Sequence, residues 1–181
     1  DYISDVALEF HEPYASSACE MVTELVQYSP LSPELTSHEA EALLSGIILA
    51  NKNYTMRVGV RTFEAAAYLR DCKLNTVTVK KFFSGTIEEN VSVSRLISNA
   101  DFHDRFVIAV SDEKEPISRL VASKAADELL NISGVDASFV VYSSGDVIYV
   151  SARSYGNVNV QLIMEEFGGG GHQSMAACQY K

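Results

Sequence analysis

Gly168-Gly169-Gly170-Gly171-His172 decides how this chain is read. Four consecutive residues without a Cβ let the backbone reach positive φ and let another group come close to the peptide N–H groups. Such N–H groups can converge on an anion, and the histidine adds a side-chain donor at the end of the run. The alternative is a flexible tight turn carrying a surface histidine. An amphipathic stretch, 158–167, leads in, and an apolar stretch, 175–180, leads out. The pattern predicts a helix, a glycine loop and a last strand in succession. A phosphate or phosphodiester is the anion such a loop would hold.

Upstream of the loop lies a hairpin signal. Residues 137–142 and 147–154 are rich in β-formers, and Ser143-Ser144-Gly145-Asp146 separates them. Along the second strand, Val147, Tyr149, Ser151 and Arg153 share one face by the period of two. Arg153 precedes the polar turn Ser154-Tyr155-Gly156-Asn157. An arginine fork at a strand end, with Asn157 near it and the glycine loop one short helix away, can form a small anion site. An exposed arginine in a surface ion pair is the plainer reading. A strand at 106–110 and a helix after Pro116, carrying Leu120, Val121, Ala125, Leu129 and Leu130, complete this half. The pattern changes near Asn99-Ala100-Asp101, where a boundary is expected.

The first half reads as helical. Ser17-x-x-Glu20 and Thr36-x-x-Glu39 have capping-box form, each before an apolar pattern of helical spacing, and Pro30 and Pro33 break the chain between them. A short stretch at 54–60 is expected to be extended. Further helices are expected near 63–69, 76–83 and 87–97. Arg57 and Arg61 flank a glycine and are candidates to face one cleft, or to form a solvated basic turn. Ser16 and Ser17 are candidate phosphate-facing hydroxyls, or one is an N-cap. His11, His38 and His103 lack metal-ligand spacing. No GxSxG occurs, and no cysteine is tied to a histidine by a local pattern.

Composition sets the limits. With 181 residues, 47% of them apolar, the chain can build one ordinary domain or two small ones. A formal net charge of -10 disfavours broad binding to long nucleic acid, while a small phosphorylated ligand in a locally basic pocket remains compatible. Cys19, Cys72 and Cys178 are scattered and form no CxxC, which points to reduced thiols in a cytosolic compartment. No apolar run approaches the roughly 18 residues of a spanning helix. The chain opens at Asp1 without a methionine, so a piece of a longer protein is expected.

Six stretches carry a resemblance to a known family: Glu12-Pro-Tyr-Ala-Ser-Ser-Ala18, Leu44-Ser-Gly-Ile-Ile48, Arg61-Thr-Phe-Glu-Ala-Ala-Ala-Tyr-Leu-Arg70, Gly134-Val-Asp-Ala-Ser-Phe139, Ser151-Ala-Arg-Ser154 and Gly168 to His172. In order and spacing they resemble the C-terminal part of a DHH-family phosphoesterase of the branch that hydrolyses cyclic di-AMP. The resemblance implies an α/β protein of two lobes. Residues 1–99 would be the mostly helical end of the DHH domain. Residues 100–181 would be a DHH-associated, substrate-binding domain with a mixed sheet.

The resemblance also implies a chemistry. Paired manganese ions in the intact enzyme would activate water and stabilise charge on the phosphodiester. The associated domain would bind substrate through Gly168, Gly169, Gly170, Gly171, His172, Arg153 and Asn157. The implied ligand is cyclic di-AMP or a short linear dinucleotide, and a second copy of the chain is a candidate partner. Transmembrane and sensory segments would precede the chain, which would itself be cytoplasmic. Two departures stand out. The Asp-His-His sequence is absent, and Ala50 occupies the position of a metal-binding aspartate, by natural degeneration or by engineering. No metal is therefore expected on this chain, and it is expected to be inactive by itself. A short-oligoribonucleotide exonuclease or nucleotide phosphatase of the same family is the second reading. A non-catalytic nucleotide-binding module is the third.

Overall fold

The computed structural model describes residues 6–7, 9–31, 34–112 and 116–180, so Pro33 lies outside the described residues. The chain divides into two compact units, one ending at Ser84 and the other beginning at Gly85.

The first unit is helical among its described residues: α1 (Ala18–Gln27), α2 (Ser37–Ala50), α3 (Val60–Asp71) and α4 (Thr76–Phe82). Ala40, Leu44 and Ile47 of α2 pack with Ala65 and Leu69 of α3 and with Val79 of α4 to form its core. The reciprocal cap predicted for α2 is present. Thr36 Oγ1 accepts from Glu39 N–H at 3.3 Å, and Glu39 Oε2 accepts from Thr36 N–H at 2.8 Å. Those bonds hold the Glu39 carboxyl below the usual carboxylate range. Thr36→Ala should therefore cost about 1 kcal/mol of stability, the ordinary value of an N-cap. Denaturant unfolding would show it as a lower midpoint at unchanged slope. At α1 only half of the expected box forms. Ser17 caps the Glu20 N–H, but the Glu20 carboxylate turns to Ser16, accepting from its N–H at 3.3 Å and from its hydroxyl.

One local expectation is overturned. Residues 54–60 are not extended. Lys52, Asn53, Tyr54 and Arg57 all have left-handed φ, between 49° and 61°, and Asn51 C=O accepts from the N–H groups of Thr55 and Met56. The polar Asn51-Lys52-Asn53 sequence makes a compact turn after α2 before the chain enters α3.

The second unit comprises α5 (Ile87–Ser98), β1 (Asp101–His103), β2 (Phe106–Val110), α6 (Arg119–Leu130), β3 (Ala137–Ser144), β4 (Val147–Ser154), α7 (Val160–Glu165), β5 (Gly170–His172) and β6 (Met175–Tyr180). The strands form one mixed sheet in the order β1-β2-β3-β4-β6-β5. Only β2 and β3 are parallel, and α6 makes the crossover between them. Val121, Ala125 and Leu129 of α6 pack on Val107, Val140 and Tyr142 of one sheet face. Val160 and Met164 of α7 pack on Ala152, Ala176 and Cys178 of the other. Burial there pushes the Cys178 thiol up.

The contact division falls earlier than the change of sequence pattern near residue 100. Val93 and Leu96 of α5 join the second unit's core, and Lys124 of α6 donates to Glu89 of α5 at 2.8 Å. In the hairpin, Ser143 and Ser144 continue β3 opposite Ile148 and Val147, so the turn is only Gly145-Asp146. Gly145 has φ +61°, which suits the twist of a two-residue connection.

Candidate functional site

The glycine run is partly loop and partly strand. Gly168 has φ +72°. Its N–H donates to Glu165 C=O at 2.9 Å, and Gly169 N–H donates to Met164 C=O at 2.8 Å. These two bonds form the left-handed closure common at helix C-termini. Two of the amide donors that the sequence reading gave to an anion therefore terminate α7 instead. Gly170, Gly171 and His172 form β5, paired antiparallel with Ala177, Ala176 and Met175 of β6.

Three of the four glycines are required by this geometry. Gly168 needs its positive φ. A Cβ at Gly169 would lie 2.2 Å from Ala177 O and 2.5 Å from Cys178 Cβ. Gly171 combines φ +152° with an approach of 2.4 Å to Met175 O. Gly170 differs: a Cβ there would meet nothing within 4 Å.

Register assembles the rest of the site. Arg153 pairs with Met175, which pairs with His172, so the three lie in one row across β4, β6 and β5. Ser151, Ala177 and Gly170 form the adjacent row. Cross-strand partners share a face, and so do residues two apart. Both rows therefore lie on one face of the sheet. This is the face α6 covers over β3 and β4, where Val140 and Tyr142 are buried beneath it. Toward β6 and β5 the cover ends, and Met175, Ala177, Gln179 and His172 are exposed.

Arg153 sits at the border of the covered region. It is only 5% exposed. Its Nε donates to Asp127 Oδ1 at 3.1 Å, and its Nη1 donates to Ser151 Oγ at 3.2 Å and to Ala152 C=O at 2.9 Å. Asp127 is half exposed, so the pair faces solvent on its carboxylate side. Arg153 is thus neither a free surface arginine nor an unassigned one. Its guanidinium is oriented in advance by a helix, a neighbouring strand residue and its own main chain.

Asn157 is exposed in the turn between β4 and α7. That turn is fixed by Ser154 Oγ, which donates to Val158 C=O at 2.7 Å, and by Gln173 Nε2, which donates to Gly156 C=O at 2.8 Å. The sequence reading missed Asp127, Gln173 and Met175. Asp127 is 26 residues from Arg153, and no local pattern links them.

The candidates in the first unit have structural roles or stand alone. Ser17 caps α1, and Ser16 is buried against Glu20. Arg61 donates to Glu24 through Nε at 2.6 Å and to Glu12 through Nη1 at 3.3 Å, which removes it from an open anion cleft. The two carboxylates push its guanidinium pKa up. Arg57 is exposed in the left-handed turn.

The manganese pair implied by the resemblance can be tested against the turn after α2. Ala50, its last residue, offers no side-chain oxygen. Asn51 is fully buried, and its Oδ1 accepts from Tyr54 N–H at 2.8 Å, while its Nδ2 has no hydrogen-bond partner. The amide oxygen is therefore committed, and the unmatched group is a donor. Manganese takes carboxylate, imidazole and water oxygen or nitrogen ligands. Among the described residues, no three His, Cys, Asp or Glu side chains gather to hold an ion. The residues present do not fit the group.

Residues 103–181 match the family described as the DHHA1 domain. The whole chain is 44% identical to the cyclic-di-AMP phosphodiesterase PdeA of Listeria monocytogenes, spanning 28% of that protein. Over 99% of its length it is 45% identical to the cyclic-di-AMP phosphodiesterase GdpP of Geobacillus thermodenitrificans, again spanning 28% of the relative. An exopolyphosphatase-related protein from Bacteroides fragilis shares the fold, with a TM-score of 0.88 at 16% identity over 99% of this chain and 56% of that one. Residues 103–181 thus match the DHHA1 domain family, and the chain as a whole is similar to the C-terminal part of cyclic-di-AMP phosphodiesterases.

Proposed function

We propose that this chain is the dinucleotide-binding portion of a DHH-family phosphodiesterase-type protein, with cyclic di-AMP as its ligand. Gly170 carries the reading. It is the one glycine of the run that its own hairpin does not require, and it lies beside the row of Arg153, Met175 and His172. A missing side chain there leaves room for something outside the chain. Arg153 and His172 supply donors for a phosphodiester, and the small residues Gly170 and Ala177 let it lie against the sheet. Asn157, exposed in the neighbouring turn, is assigned to the base or ribose. In this reading the chain binds and does not turn substrate over by itself, since the described residues bring no donor set for a metal pair together. No step of hydrolysis is assigned to its residues.

No helix among the described residues is long and apolar enough to cross a membrane. The cytoplasmic location, a membrane tether elsewhere in the protein and self-association belong to this same reading. Exposed Val22, Leu25, Tyr28 and Phe63 of the first unit are the apolar surface that would support such self-association.

Calorimetric titration tests the ligand. The longest natural polypeptide containing this segment should bind cyclic di-AMP at least about tenfold tighter than it binds linear di-adenylate, a difference of about 1.4 kcal/mol. Preference for the linear dinucleotide would favour the exonuclease reading. No binding of either would remove the site assignment.

A further inference from the structure

We propose that the protein carrying this chain is a cyclic-dinucleotide receptor that does not hydrolyse its ligand, because the turn after α2 presents a donor where a divalent ion needs acceptors. The inference rests on the dinucleotide-binding reading above.

The misfit is visible atom by atom. A hard divalent ion needs anionic or neutral oxygen donors pointing into one space. Ala50 ends α2 with an exposed methyl group. The next residue, Asn51, spends its Oδ1 on Tyr54 N–H at 2.8 Å and its main-chain oxygen on Thr55 and Met56 N–H at 3.0 and 2.9 Å. What it leaves unmatched is Nδ2, a donor buried without a partner. Arg57 follows in left-handed conformation and adds positive charge. Glu41 of α2 is buried, with its carboxylate accepting from Asn75 N–H at 3.0 Å. Glu20 is held by Ser16. The two buried carboxylates are therefore engaged within the first unit's own framework.

The second unit shows no parallel misfit. Arg153 is held in place by Asp127, Ser151 and Ala152, and the Gly170 position remains open. A protein with this ligand row, and with no free oxygen in the turn after α2, is built to bind and retain.

The experiment compares the longest natural polypeptide carrying this segment with its Ala50→Asp and Ala50→Asn variants. Ala50 is exposed at a helix end, so both should fold, and Ala50→Asn controls for side-chain size without charge. Manganese content after dialysis, cyclic di-AMP affinity in the presence of chelator, and turnover are read for each. Ala50→Asp should gain about one manganese ion per chain relative to the parent, a carboxylate being the ligand type such ions favour. Its turnover should rise about a hundredfold or more, the scale of restoring a group that acts on transition-state charge. Parent and both variants should bind cyclic di-AMP within about threefold of one another, the ordinary scale of a surface substitution.

Parent turnover equal to that of Ala50→Asp would overturn the proposal, as would equal manganese content in the two. An Ala50→Asp protein that gains neither metal nor turnover would overturn it as well, since the turn after α2 would then not be what prevents hydrolysis. Loss of dinucleotide binding in all three proteins would instead defeat the ligand reading on which the proposal rests.

Discussion

Valine at position 170 is expected to leave folding unchanged and to weaken cyclic di-AMP binding by about tenfold or more, roughly 1.4 kcal/mol. Valine at position 169 is expected to do the reverse in kind: it should destabilise the second unit itself. At Gly170 the backbone is outside the left-handed region and the space for a Cβ is empty, so a side chain enters without meeting protein. It would stand on the sheet face beside Ala177 and Ser151, which the proposed function gives to the phosphodiester. At Gly169 the Cβ would strike Ala177 O at 2.2 Å and the Cys178 backbone Cα at 2.7 Å. Neither can rotate away, so β5 must part from β6 at a cost of about 1–3 kcal/mol or more. Thermal unfolding and calorimetric titration, run on both variants, separate the effects. If Gly170→Val binds like the parent, the run is a hairpin device and nothing else.

Removing the guanidinium is expected to be as damaging to binding. Arg153→Ala should lose about 1.5–3 kcal/mol of affinity for cyclic di-AMP, the scale of a hydrogen bond to a charged group. Its effect on stability should be smaller. Truncation leaves the Asp127 carboxylate behind, but that group is 45% exposed and can be solvated. The lost bonds to Ser151 and to Ala152 C=O are compensated only where water enters, so some drop in unfolding midpoint is expected. Lys124→Ala provides the comparison. Lys124 is on the same helix as Asp127 but donates to Glu89 of α5, and the ammonium holds the Glu89 carboxyl below its usual range. It should alter the seating of α5 and leave ligand affinity unchanged. An Arg153→Ala protein with parental affinity would remove Arg153 from the site.

The legible parts of the fold were those written in short-range pattern. The reciprocal cap at Thr36 and Glu39, the hairpin of β3 and β4, and the face shared by Ser151 and Arg153 all depend on residues a few positions apart. What could not be read depended on distant partners. Arg61 looked available for an anion until Glu24 and Glu12 were brought beside it. The apolar residues of α5 show an amphipathic helix but not which core receives it. Asp127 reaches Arg153 only because α6 crosses over β3 and β4. The glycine run was recognised as conformationally demanding, but helix closure and strand pairing, rather than an open loop, account for most of that demand. Residues 54–60 failed for a different reason: Tyr54, Thr55, Met56 and Val58 favour strand locally, whereas Asn51 gathers three successive N–H groups onto its own oxygens.

The unequal demands on the glycines give the run a use as a historical record. Any descendant that keeps the hairpin must keep Gly168, Gly169 and Gly171, whatever its ligand. Position 170 has no such protection: once nothing visits the sheet face, an ordinary residue can settle there without penalty to the fold. Under the proposed function, chains still carrying glycine at 170 would mark lineages in which recognition is retained, and those with a larger residue there would mark lineages in which it has gone.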